Sequence, residues 1–562
     1  MTDAPQTDHS TAAAEKTVNV AVHLARMARD FPYRKAVIQP VGRDHQNRVA
    51  YSHLTFRQLH RESDCLAHGL DQAGISAGVR TVLMVPPSPD FFVLIFALFK
   101  VGAVPVIVDP GMGIQRMLRC LRGTEPTAFI GISKAHVLRF FYPRFFRSVT
   151  HWVTVGRRWF WSGRTLDQLL VKPWTPYPAN PTRRDETAAI LFTTGSTGPA
   201  KGAVYTHGNF DAQVALIRSH FNIAPGEIDL PTFPLFSLFD PALGMTAVIP
   251  DMDPTRPARA HPVKIIEAII DHGITNMFAS PALLKRLGEY GRDRDIRLPS
   301  LRRVISAGAP VSPDVIDLFS RMLPRHAEVH TPYGATEAMP VASIASHEIL
   351  KNTRQMSAKG FGICVGRPID GIDVKIIKIT DDPIDRWRDD LVLPAGRIGE
   401  ITACGPPVTR RYYADPPADA LAKIKDGDGF RHRMGDLGWI DSSGRIWFCG
   451  RKNHRVIINE NDALYSIPCE SIYNNHPDVS RSALVGVGDA PHQTPVICIE
   501  LKEDVSPQAH ERIQAELVAL GKTSPHTKAV KEVLFHDAFP VDIRHNAKIF
   551  REQLAQWAEE QM

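Results

Sequence analysis

Three glycines, a run of hydroxyls and one lysine crowd into Thr193-Thr194-Gly195-Ser196-Thr197-Gly198-Pro199-Ala200-Lys201-Gly202, directly after the apolar segment Ala188-Ala189-Ile190-Leu191-Phe192. Glycine lets a backbone turn tightly enough to aim successive N–H groups into one concavity. The hydroxyls and Lys201 add donors and positive charge, so the stretch carries the chemistry for holding polyphosphate oxygens. A Walker-type loop is excluded by spacing: Ala200 stands where the second motif glycine belongs, and Gly202 replaces the Ser or Thr that would ligate Mg2+. Alone, such a turn also reads as an ordinary surface loop. The motifs that follow it decide between the two.

Downstream come, in order, Ala307-Gly308-Ala309-Pro310, Tyr333-Gly334-Ala335-Thr336-Glu337, Met434-Gly435-Asp436, Gly450-Arg451 and Lys548. Singly each has a bland reading: Glu337 as a helix-start carboxylate, Asp436 as a turn residue, Lys548 as a solvated lysine on an amphipathic stretch. As an ordered set with the phosphate loop they resemble the adenylate-forming superfamily of acyl-CoA synthetases, luciferases and peptide-synthetase adenylation domains, from about Val18 to Trp557. Phe233-Pro234-Leu235-Phe236-Ser237-Leu238-Phe239-Asp240 and Phe539-Pro540-Val541-Asp542-Ile543-Arg544-His545-Asn546-Ala547-Lys548 are similar, more narrowly, to the β-lactone synthetases of bacterial long-chain olefin biosynthesis.

The resemblance implies ATP and Mg2+ and assigns roles. Thr193, Thr194, Gly195, Ser196, Thr197, Gly198 and Lys201 would grip the β- and γ-phosphates and then pyrophosphate. Ala307, Gly308, Ala309, Tyr333 and Gly334 would form the adenine slot, with the Tyr333 ring stacking on the base. Glu337 would hold Mg2+ together with Thr194, with Thr336 nearby, since Mg2+ takes few protein oxygens beside phosphates. Asp436 would accept from the ribose hydroxyls, and Arg451 would lie by the ribose and α-phosphate. Lys548, with Glu337 and Thr194, completes the expected catalytic set: a cation there relieves the repulsion between an attacking carboxylate and a phosphate. The family usually has Ser-Gly-Lys where this chain has Asn546-Ala547-Lys548.

Two departures bear on the reaction. Many relatives place a glycine beyond the Gly-Arg pair, where the backbone must approach a pantetheine arm; here Ile458-Asn459-Glu460-Asn461-Asp462-Ala463 has none. Bulk and negative charge there argue against CoA as acceptor. Phe233, Phe236, Ser237 and Phe239 fall where relatives line the acyl pocket, with Ser237 replacing a frequent histidine. The expected reaction is therefore ATP-dependent adenylation of a long-chain β-hydroxy acid followed by closure to a β-lactone. A fatty acyl-CoA synthetase or acyl-carrier ligase is the enzymatic alternative, and an inactive scaffold on the same fold the non-enzymatic one.

The elements that must position these residues alternate. Phe56 to Ala73 reads as an amphipathic helix, Thr81 to Val85 as a buried strand, Asp90 to Val101 as a helix, and Val104 to Val108 as another strand ending at Asp109-Pro110-Gly111. That rhythm predicts an α/β fold with parallel-rich sheets covered by helices. After Gly396 the strands shorten into a subdomain. Gly74-Ile75-Ser76-Ala77-Gly78 matches a hydrolase elbow in letters, but it follows a helix and precedes a strand, the reverse order. Lys452 and Asn453 are the expected hinge between an N-terminal adenylation domain (1–450) and a small mobile α+β lid (451–562), a size typical of a compact module.

The chain has 562 residues, 44% hydrophobic and 22% charged, ample for more than one domain with large cores. A net charge of +6 suits anionic ligands but is not the concentrated footprint of a nucleic-acid binder. Seven scattered cysteines without a CxxC pair read as reduced thiols in a cytoplasm. The N-terminus lacks signal-peptide architecture, and the apolar run Phe91 to Val108, interrupted by Lys100, reads as a buried helix and strand rather than a membrane span. From Arg139 to Arg164, arginines alternate with aromatics and no acid intervenes. Three readings stand for it: solvated arginines over a buried aromatic core, a contact with protein partners in a multi-enzyme olefin-forming assembly, or peripheral contact with a membrane.

Overall fold

The computed structural model describes residues 17–192, 200–233, 236–541 and 549–562. The expected phosphate-loop residues Thr193, Thr194, Gly195, Ser196, Thr197 and Gly198, and the expected lid lysine Lys548, lie outside the described residues.

Two sheets take up the strands of the first four-fifths of the chain. In the larger, 14-stranded sheet, strands Lys35–Arg43, Thr246–Val248, Ile228–Pro231, Asn276–Ala279, Arg303–Ser306 and Glu328–Ala335 run parallel. Beyond Glu328–Ala335 the pairing turns antiparallel through Ala338–Ala345, Ile363–Pro368, Ile446–Arg451, Gly429–Ile440, Gly399–Cys404 and Asp373–Ile377. The subdomain expected after Gly396 thus begins at Ala338, continuous with the parallel half, and its strands do not shorten: Gly429–Ile440, at 12 residues, is longer than the longest parallel strand, Lys35–Arg43, at 9. The 7-stranded sheet pairs Arg80–Met84, Val104–Val108, Ala128–Ile132, His151–Val155, Arg164–Thr165 and Thr187–Phe192 in parallel and ends on the antiparallel strand Gly202–Thr206.

The helix Pro89–Val101 shows how the apolar run is spent. Ser88 caps it by accepting from Phe91 N, Pro89 opens its first turn, and Gly102 ends it at φ +73°, a left-handed turn that suits glycine. Every side chain from Phe91 to Val101 is buried, Lys100 included. Lys100 Nζ donates to Asp64 Oδ1 (2.6 Å) and Ser63 Oγ (2.7 Å) of the helix Phe56–Gln72, and Trp174 Nε1 donates to the other Asp64 oxygen (3.1 Å). One buried ion pair thus ties two helices and the segment around Trp174. The Gly74–Gly78 segment joins that helix to a strand, in the order that disqualified it as an elbow.

From residue 456 the chain builds cores of its own. A hairpin, Val456–Asn459 with Asp462–Leu464, precedes a three-stranded sheet of Val479–Val487, Thr494–Leu501 and Glu532–Phe535. Helices Ser466–Tyr473, His510–Gly521 and Arg551–Gln561 cover it, around two apolar clusters centred on Leu484 and Ile497 and on Val496 and Leu554. All seven cysteines are unpaired, and no helix among the described residues is long and apolar enough to cross a membrane.

Candidate active site

A cavity of about 1660 Å3 opens at the carboxyl ends of the parallel strands, lined by Thr232, Ser280, Ser306 and Tyr333 at or just past four strand ends. In open α/β sheets this is where ligands bind, because the loops there vary without disturbing the sheet. Lys201, Ala307, Gly308, Ala309, Tyr333, Gly334, Thr336, Glu337, Asp436, Arg451, Lys452 and Asn453 all line it. The structure brings together positions spread from residue 201 to residue 453 of the chain.

Backbone demands explain the glycines. Gly308 sits at φ +95°, a conformation a side chain resists. At Gly334 a Cβ would meet Ala338 O at 2.6 Å, at an irregularity in the pairing of strands Glu328–Ala335 and Ala338–Ala345. Those strands form a hairpin whose two-residue turn is Thr336-Glu337, so Glu337 stands at a hairpin tip and not at a helix start.

Glu337 is held from below. Its Oε1 accepts from Tyr412 Oη at 2.6 Å, and its backbone oxygen accepts from Thr409 N (2.8 Å) and Oγ1 (3.1 Å). Lys423, buried, donates from Nζ to Thr409 O (2.7 Å) and Oγ1 (3.0 Å). Burial lowers the Lys423 pKa to about 8, against the pull of Glu337 and Asp419. The ammonium groups of Lys201 and Lys423 stand 5.2 and 5.5 Å from the centre of the Tyr412 ring. Burial, and then the Glu337 carboxylate, raise the Tyr412 phenol, which therefore stays a donor. Among the described residues, Glu337 Oε2 takes no hydrogen bond. Tyr412 and Lys423 escaped the sequence reading; the only hint was a basic-aromatic run, Arg410-Arg411-Tyr412-Tyr413.

Asp436 and Arg451 face each other across the antiparallel strands Gly429–Ile440 and Ile446–Arg451. Arg451 Nη1 lies 2.9 Å from Asp436 Oδ1, and Tyr333 Oη donates to Oδ2 at 2.6 Å. Burial raises the Asp436 carboxyl, while Arg451 and the Tyr333 bond oppose it. Tyr333, expected only to stack, also fixes this carboxylate through its hydroxyl.

The apolar end is lined by Phe233, Phe236 and Phe239. Phe236 stacks on Phe278 with centroids 3.8 Å apart; Phe278, on the strand Asn276–Ala279, is a wall residue that sequence order gave no reason to single out. Ser237, expected beside these rings, is buried and stands off the cavity wall.

At the expected hinge, Lys452 to His454 form one 3-10 turn. Lys452 Nζ donates to Thr380 O (2.9 Å) and Glu400 Oε2 (3.3 Å), and the same Glu400 oxygen takes Arg433 Nη2 (2.6 Å) and Nε (3.1 Å). Arg455 Nη2 pairs with Asp381 Oδ2 at 2.5 Å. The segment without a tunnel glycine is the exposed tip of the Val456–Asn459/Asp462–Leu464 hairpin, bearing Glu460 and Asp462.

The AMP-binding enzyme family matches residues 24–413. The chain is 47% identical to the olefin beta-lactone synthetase of Xanthomonas campestris pv. campestris, with 97% of this chain and 98% of that one covered. It is 48% identical to the olefin beta-lactone synthetase of Stenotrophomonas maltophilia, with 96% and 98% covered. In fold it is similar to the amide bond synthetase of Marinactinospora thermotolerans (TM-score 0.76, 22% identity, 96% and 99% covered) and to an O-succinylbenzoate coenzyme A synthetase of Bacillus subtilis in complex with AMP (TM-score 0.72, 21% identity, 96% and 98% covered). A cavity at the strand ends, a carboxylate on a hairpin tip and a family match across most of the chain converge: this chain belongs to the adenylate-forming AMP-binding enzymes, in the company of the olefin beta-lactone synthetases.

Proposed function

We propose that the chain adenylates a long-chain 2-alkyl-3-hydroxy fatty acid with ATP and closes the product to a β-lactone, releasing AMP and pyrophosphate. The observation that carries this is near-half identity over almost the whole length to two olefin beta-lactone synthetases. The aromatic wall of Phe233, Phe236 and Phe278 agrees with an apolar acid. The exposed, acidic hairpin at Glu460 and Asp462 agrees with a reaction that needs no pantetheine arm.

In this reading ATP lies along the strand ends, with adenine in the slot of Ala307, Gly308, Ala309, Tyr333 and Gly334. The ribose hydroxyls meet Asp436, a carboxylate already oriented by Arg451 and Tyr333. The phosphates meet Lys201 and the 193–198 loop. Glu337 fits a hard cation: it is a carboxylate on the cavity wall with Oε2 open among the described residues. Mg2+ held there, with Thr194, would neutralise phosphate charge. Residues 451–562 act as the lid, swinging about Lys452 and Asn453.

Adenylation makes the carboxylate an electrophile with AMP as leaving group. The β-hydroxyl is tethered to that carbonyl, so the pocket has only to fix its conformation. A four-membered ring is strained, which is why ATP is consumed and why water must be kept out. With a β-hydroxy acid and Mg-ATP, AMP, pyrophosphate and a β-lactone are expected at the same rate with or without CoA. A thioester appearing only with CoA, read by mass spectrometry, makes the chain an acyl-CoA synthetase instead.

Two variants examine the metal site. Glu337→Gln keeps shape and loses charge: turnover falls, and part of it returns as Mg2+ is raised. An unchanged rate and unchanged Mg2+ dependence make Glu337 structural. Tyr412→Phe removes the hydroxyl that holds Glu337, a bond to a charged group worth about 1.5–3 kcal/mol. It is expected to raise the Mg2+ concentration for half-maximal rate while leaving the apparent affinity for the acid alone. A shift in the acid's KM with no change in Mg2+ dependence contradicts that placement.

A further inference from the structure

We propose that the arginine–aromatic surface of residues 139–164 docks the protein on an anionic phospholipid bilayer. Phe140, Phe141, Trp159 and Phe160 are 49, 74, 50 and 79% exposed, large rings that folding has not covered. They come from two segments, the helical turn Leu138–Phe141 and the stretch from Trp159 to Trp161, and form one patch. Phe140 lies 5.4 Å from Phe160, and Trp159 and Phe160 lie 5.2 and 5.4 Å from Trp161. Trp161 is the fixed base: it is buried, and its Nε1 donates to Thr154 Oγ1 at 3.0 Å. The exposed rings are therefore presented from a packed support.

Charge chooses the occupant. Arg139, Arg144, Arg147, Arg157, Arg158 and Arg164 lie in the same stretch of chain as the rings, and all but Arg139 are exposed. None pairs with a carboxylate among the described residues. Arg139 instead lies against Trp152 and Phe140, 4.6 and 5.1 Å from their ring centres. Between Arg139 and Arg164 there is no Asp, Glu, Asn or Gln. A protein-docking surface needs a rim of mixed polar groups to set its register. Protruding Phe and Trp within charge of one sign suit a surface that supplies negative headgroups everywhere and an apolar layer just beneath.

The surface is also connected to the cavity. The helix Ile114–Gly123 packs on the turn Pro143–Phe145 beneath the patch, and Arg116 at its start lines the cavity. Docking there sets the rim of a site for an apolar acid one helix away from the lipid. Vesicle binding needs no turnover, so it stands or falls apart from the reaction proposed above.

The test is co-sedimentation of the full chain with vesicles of phosphatidylglycerol and phosphatidylcholine in equal parts, and with phosphatidylcholine alone. Binding is expected on the anionic vesicles, weakening as salt is raised. Arg157→Gln/Arg158→Gln should weaken it about 30-fold, and Phe141→Ala/Phe160→Ala by about tenfold or more. Pyrophosphate–ATP exchange with a water-soluble acid should stay at wild-type rates in both, which shows that they fold. No partition onto anionic vesicles at low salt, or wild-type partition by both variants, overturns the proposal. So does concentration-dependent self-association that the variants abolish without any vesicle binding, which would make the patch a protein interface.

Discussion

Alanine at Lys548 is expected to slow adenylation by about 10²–10³-fold, or roughly 2.7–4 kcal/mol, with little change in KM for either substrate. Two anions must meet when a carboxylate attacks the α-phosphate, and a lysine over both is most valuable at the moment of greatest crowding. A group used only in the transition state lowers kcat and kcat/KM together. Lys548 itself lies outside the described residues. Val541 and Ile549, the described residues on either side, pair with each other and line the cavity. Single-turnover formation of AMP gives the measurement. Wild-type rates in Lys548→Ala return the residue to a solvated helix-adjacent lysine.

Glu400→Ala is the second large effect, and it acts on stability. Glu400 and Arg433 are each 1% exposed in their side chains, and Lys452 joins them. Truncating the acid leaves the buried guanidinium without its carboxylate and removes the nearer of the two carboxylates beside Lys452. Breaking a buried pair from one side costs about 3–5 kcal/mol, since the remaining charge keeps its desolvation penalty. Denaturant unfolding followed by tryptophan fluorescence should show the midpoint fall accordingly, with Glu400→Gln intermediate because it keeps one acceptor. A midpoint within about 0.5 kcal/mol of wild type, the range of an ordinary surface substitution, would mean that water or a shifted carboxylate replaces the lost partner.

What the sequence discloses and what it hides follow one physical line. Gly308 and Gly334 are legible because backbone geometry forces a residue type at that very position. The helix from Phe56 and the strand Val104–Val108 are legible because apolar spacing is local. Glu337, Asp436 and Arg451 are legible only as an ordered set, since a single carboxylate signals nothing. Tyr412 stays hidden because its meaning lies 75 residues away at Glu337, through a pairing that only the folded strands create. Phe278 is hidden for the same reason: a phenylalanine in a short apolar strand looks like core until Phe236 stacks on it. Ser237 shows the converse: next in sequence to three pocket rings, it is itself buried and does not line the cavity.

Where the cavity walls come from has an evolutionary consequence. The end proposed for the nucleotide is built on strands carrying Tyr333, Asp436 and Arg451, which are tied together by hydrogen bonds. The apolar end hangs on Phe233, Phe236 and Phe278, at the tips of two parallel strands elsewhere in the same sheet. Substitutions that lengthen or narrow the hydrocarbon channel can therefore accumulate at one end without shifting an atom of the phosphate chemistry at the other.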